Sequence, residues 1–166
     1  ATSPTANLLY GVTFGNNTFV AVGNSGNIMR STDIGTNWYN ATSSTGNHLW
    51  GVTFANNTFV AVGNSGNIVR STDNGVSWDN VTSPTGNWLE GVTFGNNTFV
   101  GVGNNGNIVR STDNRSSFDN VTEPTSFNRK VTFGNNTFVG VGYSGNIMTS
   151  TDNGSSWDNA TSPTTK

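Results

Sequence analysis

The sequence predicts an all-β fold, a β-propeller of four four-stranded antiparallel blades, and three observations predict it. The octapeptide STDIGTNW at Ser31–Trp38 returns as STDNGVSW at Ser71–Trp78, STDNRSSF at Ser111–Phe118 and STDNGSSW at Ser150–Trp157, with starts 40, 40 and 39 residues apart. Between the copies, short stretches rich in Val, Phe, Ile and Thr alternate with Gly and Asn clusters, and nowhere do apolar residues keep helical spacing over a helix-sized window. A four-strand unit of this length cannot bury its sheet faces alone, whereas neighbours around a common axis can.

The elements follow in order. Residues 1–10 (ATSPTANLLY) copy the segments ATSSTGNHLW at 41–50 and VTSPTGNWLE at 81–90, so they form a lead-in to one domain over 1–166. Its blades fall at about 11–50, 51–90, 91–129 and 130–166. In the first blade the expected strands are Val12–Phe14, Thr18–Val22, Asn27–Ser31 and Thr36–Thr42, joined by Gly-Asn-rich turns and by the octapeptide. The second blade keeps 30 of the first blade's 40 residues. The duplicated ATSPT of Ala1–Thr5 and Ala160–Thr164 offers an overlapping clasp. A single chain closing a four-blade ring is the first expectation. Its rivals are two chains sharing an eight-blade ring or chains stacking end to end, because near-identical blades have mutually compatible faces.

The octapeptide has a chemical reason to recur. A short Asp carboxylate accepts backbone amides and a Ser or Thr hydroxyl inside a tight turn, the Gly two residues on tolerates positive φ, and the aromatic folds back as an apolar plug. With Asp33, Trp38, Asp73, Trp78, Asp113, Phe118, Asp152 and Trp157 as its structural residues, the chain resembles the Asp-box, or bacterial neuraminidase repeat, family. That resemblance implies a propeller carrying the motif between the third and fourth strands of each blade. The third copy departs with Arg115 for Gly and Phe118 for Trp, and its hairpin is expected to be looser or differently twisted.

Composition narrows the function. Only 10% of the 166 residues are charged, the net charge is −2, and no basic patch speaks for nucleic acid. The sequence has no run of apolar residues long enough to span a membrane and no apolar leader, as expected of a mature secreted chain at the cell surface or beyond it. Without cysteine and with His48 as its one histidine, it lacks the material for a disulfide framework, a zinc site or a histidine-based triad. Each STDNG-type turn offers one Asp followed by Asn or Ile, too few carboxylates for a calcium cage, so no metal and no cofactor is expected.

The positions that break the repeat are the candidate ligand site. Leu8, His48, Trp88 and Phe127 align with one another, as do Tyr10, Trp50, Glu90 and Arg129 two residues later, all in the connections that a propeller gathers at one mouth of its channel. Tyr10, Trp50 and Trp88 are suited to stacking on sugars, with Glu90 and Arg129 to bond hydroxyls; the blander alternative is exposed drift with Glu90 and Arg129 merely paired. The family resemblance also draws attention to Arg30, Arg70 and Arg110, since its sialidases hold a substrate carboxylate with three arginines. Here they share one register of the third strand and the fourth repeat has Thr149, while Glu90 and Glu123, the only glutamates, each sit in a connection, so the residues nominate neither a tyrosine–glutamate nucleophile pair nor two catalytic carboxylates.

Asn-x-Thr/Ser sequons recur at Asn16, Asn56, Asn96 and Asn135 in the first turn of each blade and at Asn40, Asn80, Asn120 and Asn159 on the outer strand, with further copies at Asn114 and Asn153. Much of this follows from a composition of 28 Asn and 25 Thr. A glycan on an outermost strand would nevertheless shield an exposed edge. The sequence thus points to a non-catalytic extracellular scaffold that associates with itself or adheres, with a lectin-like glycan-binding module as the alternative.

Overall fold

The computed structural model describes residues 4–113, 116–121 and 128–161. It contains four separate four-stranded antiparallel sheets, each following chain order. Blade 1 comprises β1 (Leu9–Gly15), β2 (Thr18–Gly23), β3 (Ile28–Ser31) and β4 (Tyr39–Asn40). Blade 2 comprises β5 (Leu49–Ala55), β6 (Thr58–Gly63), β7 (Ile68–Ser71) and β8 (Asp79–Val81). Blade 3 comprises β9 (Leu89–Gly95), β10 (Thr98–Gly103), β11 (Ile108–Ser111) and β12 (Asp119–Val121). Blade 4 comprises β13 (Asn128–Gly134), β14 (Thr137–Gly142), β15 (Ile147–Ser150) and β16 (Asp158–Asn159).

Two strand expectations need correction. The inner strand starts at Leu9 rather than Val12, and its register shifts between Leu9 and Gly11, leaving Tyr10 as a bulge. The same shift falls at Trp50, Glu90 and Arg129. These residues therefore belong to strands and not to free connections. The outer strand of blade 1 is confined to Tyr39–Asn40 because Thr36–Trp38 stays inside the octapeptide turn. There Asp33 accepts the Asn37 backbone N–H at 2.9 Å and its side-chain amide at 2.7 Å.

The octapeptide turns are otherwise as their chemistry suggests. Ser31 donates to Asp33 at 2.8 Å, Gly35 N–H donates to the Ser31 hydroxyl, and the Trp38 indole donates to the Gly35 carbonyl at 3.0 Å. Hydrogen bonds from Asn37, backbone first, hold the Asp33 carboxyl down at about 2. Burial opposes ionisation of Asp73, but the Ser77 hydroxyl and N–H outweigh it and its pKa also lies at about 2. Ser156 does the same for Asp152, at about 2, and Ser117 lowers Asp113. In the third copy Asn114 and Arg115 lie outside the described residues, while Asp113 keeps its bonds to Ser111, Ser116 and Ser117 and Phe118 is buried.

The first turn of each blade is an Asn-Asn pair with both φ values positive, as at Asn16 (47°) and Asn17 (56°). That is the backbone a two-residue hairpin of the favoured twist needs, and Asn tolerates it well. Three-residue 3-10 turns at Asn24–Gly26, Asn64–Gly66 and Tyr143–Gly145 are the only helical turns among the described residues.

The core lies between blades. Val20, Val22 and Ile28 of blade 1 meet Leu49, Phe59 and Trp78 of blade 2, with Val52 and Phe54 alongside. The two following seams are built alike, blade 2 against blade 3 and blade 3 against blade 4, except that Asn128 of blade 4 stands at the position of Leu49 and Leu89 and no leucine enters the third. The contact is intimate: a Cβ on Gly15 would fall 2.0 Å from the Phe54 ring, and one on Gly95 2.0 Å from the Phe133 ring.

A fourth seam, between blade 4 and blade 1, is not formed among the described residues, which corrects the expectation of a closed four-blade ring. Leu9, Val12 and Phe14 are 42%, 65% and 53% exposed, whereas Leu49 and Leu89 are fully buried. On the other side Val141 is 42% exposed although its counterparts Val22, Val62 and Val102 are fully buried, and a Cβ on Gly134 would meet nothing within 4 Å. The blades form an open arc. The proposed ATSPT clasp falls largely outside the described residues, which begin at 4 and end at 161.

Candidate functional site at the channel mouth

The bulges bring the repeat-breaking residues together. A bulged residue leaves the strand ladder and its side chain is re-aimed, here toward the turn between the second and third strands of its own blade. The Tyr10 hydroxyl donates to Asn24 Oδ1 at 2.5 Å, and Trp50 Nε1 donates to Asn64 Oδ1 at 2.6 Å. In blade 4, where Tyr143 replaces that Asn, the Arg129 guanidinium sits 4.3 Å above the Tyr143 ring.

Successive blades then lay these side chains side by side. Tyr10 and Trp50 have ring centroids 4.2 Å apart, and Trp50 stacks on Trp88 at 6.4 Å. Arg129 Nε lies 3.5 Å from Glu90 Oε2, and Lys130 Nζ donates to the Glu90 backbone carbonyl at 3.3 Å. Tyr10, Trp50, Trp88, Glu90, Arg129 and Lys130 line one hollow of about 270 Å³. Its wall is aromatic across blades 1 to 3 and charged at blades 3 and 4. Beneath it the inner strands approach closely where Gly11 and Gly51 allow it, with a Cβ position 3.2 Å from the Trp50 carbonyl in the first case and 3.3 Å from Gly91 Cα in the second.

Sequence reasoning thus placed Tyr10, Trp50, Trp88, Glu90 and Arg129 around one opening, and they are there. It missed Lys130, which stands where the other blades have Gly11, Gly51 and Gly91 and so was a visible break in the repeat. His48 does not line the hollow and holds a neighbouring turn, its Nδ1 accepting the Ser25 backbone N–H at 2.9 Å with the ring edge-on to Trp50. Phe127 lies outside the described residues, as do Asn114 and Glu123. Arg30, Arg70 and Arg110 sit on β3, β7 and β11 opposite Tyr39, Asp79 and Asp119, one to a blade, and none lines the hollow. Among the described residues no group of three acidic or histidine side chains is placed to hold a metal. No described helix is long and apolar enough to cross a membrane.

Several sequon asparagines already have partners in the next or the preceding blade. Asn16 Nδ2 donates to Asn74, Asn56 to Asn97 and Asn96 to Asn153, each across a seam. On the outer strands Asn80 Nδ2 donates to the Ser44 carbonyl and Asn120 Nδ2 to the Pro84 carbonyl. Asn40, Asn135 and Asn159 are exposed.

Superposition on solved structures fits the same architecture. YCF48 from Cyanidioschyzon merolae matches with a TM-score of 0.75 at 18% identity over 99% of this chain, and an ancestral GH74 enzyme with 0.80 at 19% over 95%. The computationally designed Ika8 protein matches with 0.69 at 13% over 85%. The fold is a β-propeller. This chain spans 45% of the Ika8 chain, 59% of the YCF48 chain and 24% of the GH74 enzyme. Likeness at such identity concerns the fold alone, and function lives in the site. No protein-family model matches this chain, and no curated protein sequence does.

Proposed function

We propose that the chain is a non-catalytic propeller scaffold of the Asp-box type that works outside the cell or at its surface, in a structural or adhesive role, by associating with copies of itself. The observation that carries this reading is the pair of uncovered apolar faces at the two ends of the arc, Leu9, Val12 and Phe14 on one and Val139, Val141 and Ile147 on the other. Exposed apolar surface of this kind marks an interaction site. Support comes also from the mouth, where Glu90 lies 3.5 Å from Arg129 and is the one carboxylate among the described residues that line the hollow. The weakly charged, sequon-bearing surface fits an extracellular setting. Light scattering tests the reading: a mass above 17.5 kDa is expected, and a monomer at every concentration would refute it. Intact-mass spectrometry of native-source protein tests the glycan coat.

One observation favours a lectin-like second reading. Trp88 is 46% exposed beside Glu90 and Arg129, offering an apolar ring face next to hydrogen-bonding groups, the usual arrangement for a sugar. A glycan array with Trp88→Ala as control decides it: binding lost in the variant is the expected result, and no binding at millimolar sugar refutes it.

A further inference from the structure

We propose that two copies of this chain close one eight-blade ring, the blade 1 face of each packing on the blade 4 face of the other. The proposal rests on the self-association reading above and names the partner and the geometry.

The internal seams state what such a face needs. The following blade supplies Leu, Val and Phe from its inner strand and the aromatic of its octapeptide, as Leu49, Val52, Phe54 and Trp78 do. The preceding blade supplies Val, Val and Ile, as Val20, Val22 and Ile28 do, and a small residue for the Phe ring to lie against, as Gly15 does for Phe54. The free face of blade 1 carries Leu9, Val12, Phe14 and Trp38, identical in type at every position. The free face of blade 4 carries Val139, Val141, Ile147 and Gly134, again identical. The two ends are therefore the unjoined halves of a seam that the chain forms three times within itself.

The matching extends to the empty space. Leu9, Val12, Ala21, Met29 and Trp38 line an open apolar hollow of about 390 Å³ on blade 1. Phe14 is half exposed and Gly134 faces nothing, although the equivalent Phe54 and Gly15 are in contact. Phe14 of one copy would cover Gly134 of the other.

Because the two faces differ, the contact is head-to-tail, which gives a ring where the rotation closes and a filament where it does not. Propellers hold about four to eight blades. One copy leaves the ring open, two give eight blades, and three would exceed the range. Two copies related by a twofold axis form two identical seams and leave neither face exposed.

The test compares native masses of the wild type, Val12→Asp, Val141→Asp, Gly134→Val and an equimolar mixture of the two Asp variants. The wild type is expected at twice 17.5 kDa with nothing larger at higher concentration. Val141→Asp, whose counterparts are fully buried, should weaken the dimer by roughly a hundredfold, and Val12→Asp, whose counterparts Val52 and Val92 are half-buried, and Gly134→Val by roughly tenfold or more, since a carboxylate or an overfilled contact disturbs both seams at once. Their substituted positions are open in the single chain, so its melting should barely change. The mixture should recover a dimer through its one undamaged seam. A wild-type monomer at every concentration overturns self-association and the ring together. A dimer sensitive to Val12→Asp but not to Val141→Asp, or a mass that grows beyond two copies, overturns the ring while leaving self-association standing.

Discussion

Leu9 and Leu49 occupy the same place in consecutive blades, yet Leu49 is fully buried in the first seam and Leu9 is 42% exposed. Truncating each to Ala reads out the open arc directly. Leu49→Ala removes three carbons from a closed apolar cluster and leaves a cavity, which costs roughly 2–5 kcal/mol. For a chain of this size each kcal/mol moves the melting midpoint by about 2–4 °C, so the expected loss is roughly 4–20 °C. Leu9→Ala removes atoms that already see water on one side and leaves no enclosed hole, so about 1 kcal/mol and a few degrees is expected. Circular dichroism melting at a concentration where the protein is monomeric makes the comparison. Equal losses for the two variants would mean that blade 1 is covered within the chain, and the open arc would be wrong. At concentrations where copies associate, the Leu9→Ala deficit should grow toward that of Leu49→Ala, because the same seam then forms between chains.

Three further outcomes follow from local geometry. The depressed carboxyl values of Asp33, Asp73 and Asp152, all about 2 against an ordinary 3.8, stabilise the fold above about pH 4, and that contribution should vanish as the pH falls to about 2; a melting temperature flat between pH 5 and 2, or equally steep in Asp73→Asn, would contradict it. Gly35 and Gly75 share φ values of +82° and +81°, so either Ala substitution should cost roughly 1 kcal/mol in backbone strain. A Cβ on Gly75 would also lie 3.1 Å from Val20 Cγ2, and Gly75→Ala should therefore unfold at a lower denaturant concentration than Gly35→Ala. Asn96→Asp removes the donor that reaches Asn153 across a seam and should cost about 1 kcal/mol, while Asn135→Asp, in the same turn with no blade beyond it, should be neutral. Equal effects would mean that these asparagines serve the turn alone.

Fold and site were legible to different degrees, and the reasons are physical. The repeat period, the turn glycines and asparagines, and the octapeptide are local signals, since Asp33 and Ser31 satisfy their hydrogen bonds within four residues; such chemistry is written into any one copy. The bulge at Tyr10, Trp50, Glu90 and Arg129 is not local, because a register shift depends on the partner strand, and strand alternation alone read those residues as connections. The open fourth seam was hidden for a related reason. Near-identical blades say that any two faces fit, but how far each blade rotates from the last is set by backbone approach at Gly11, Gly51 and Gly91 and by the aromatic packing between sheets, which no single repeat reveals. The same identity that concealed the closure number in the sequence is what makes the two free faces complementary, so the symmetry of the repeat is better evidence about association than about the number of blades one chain encloses.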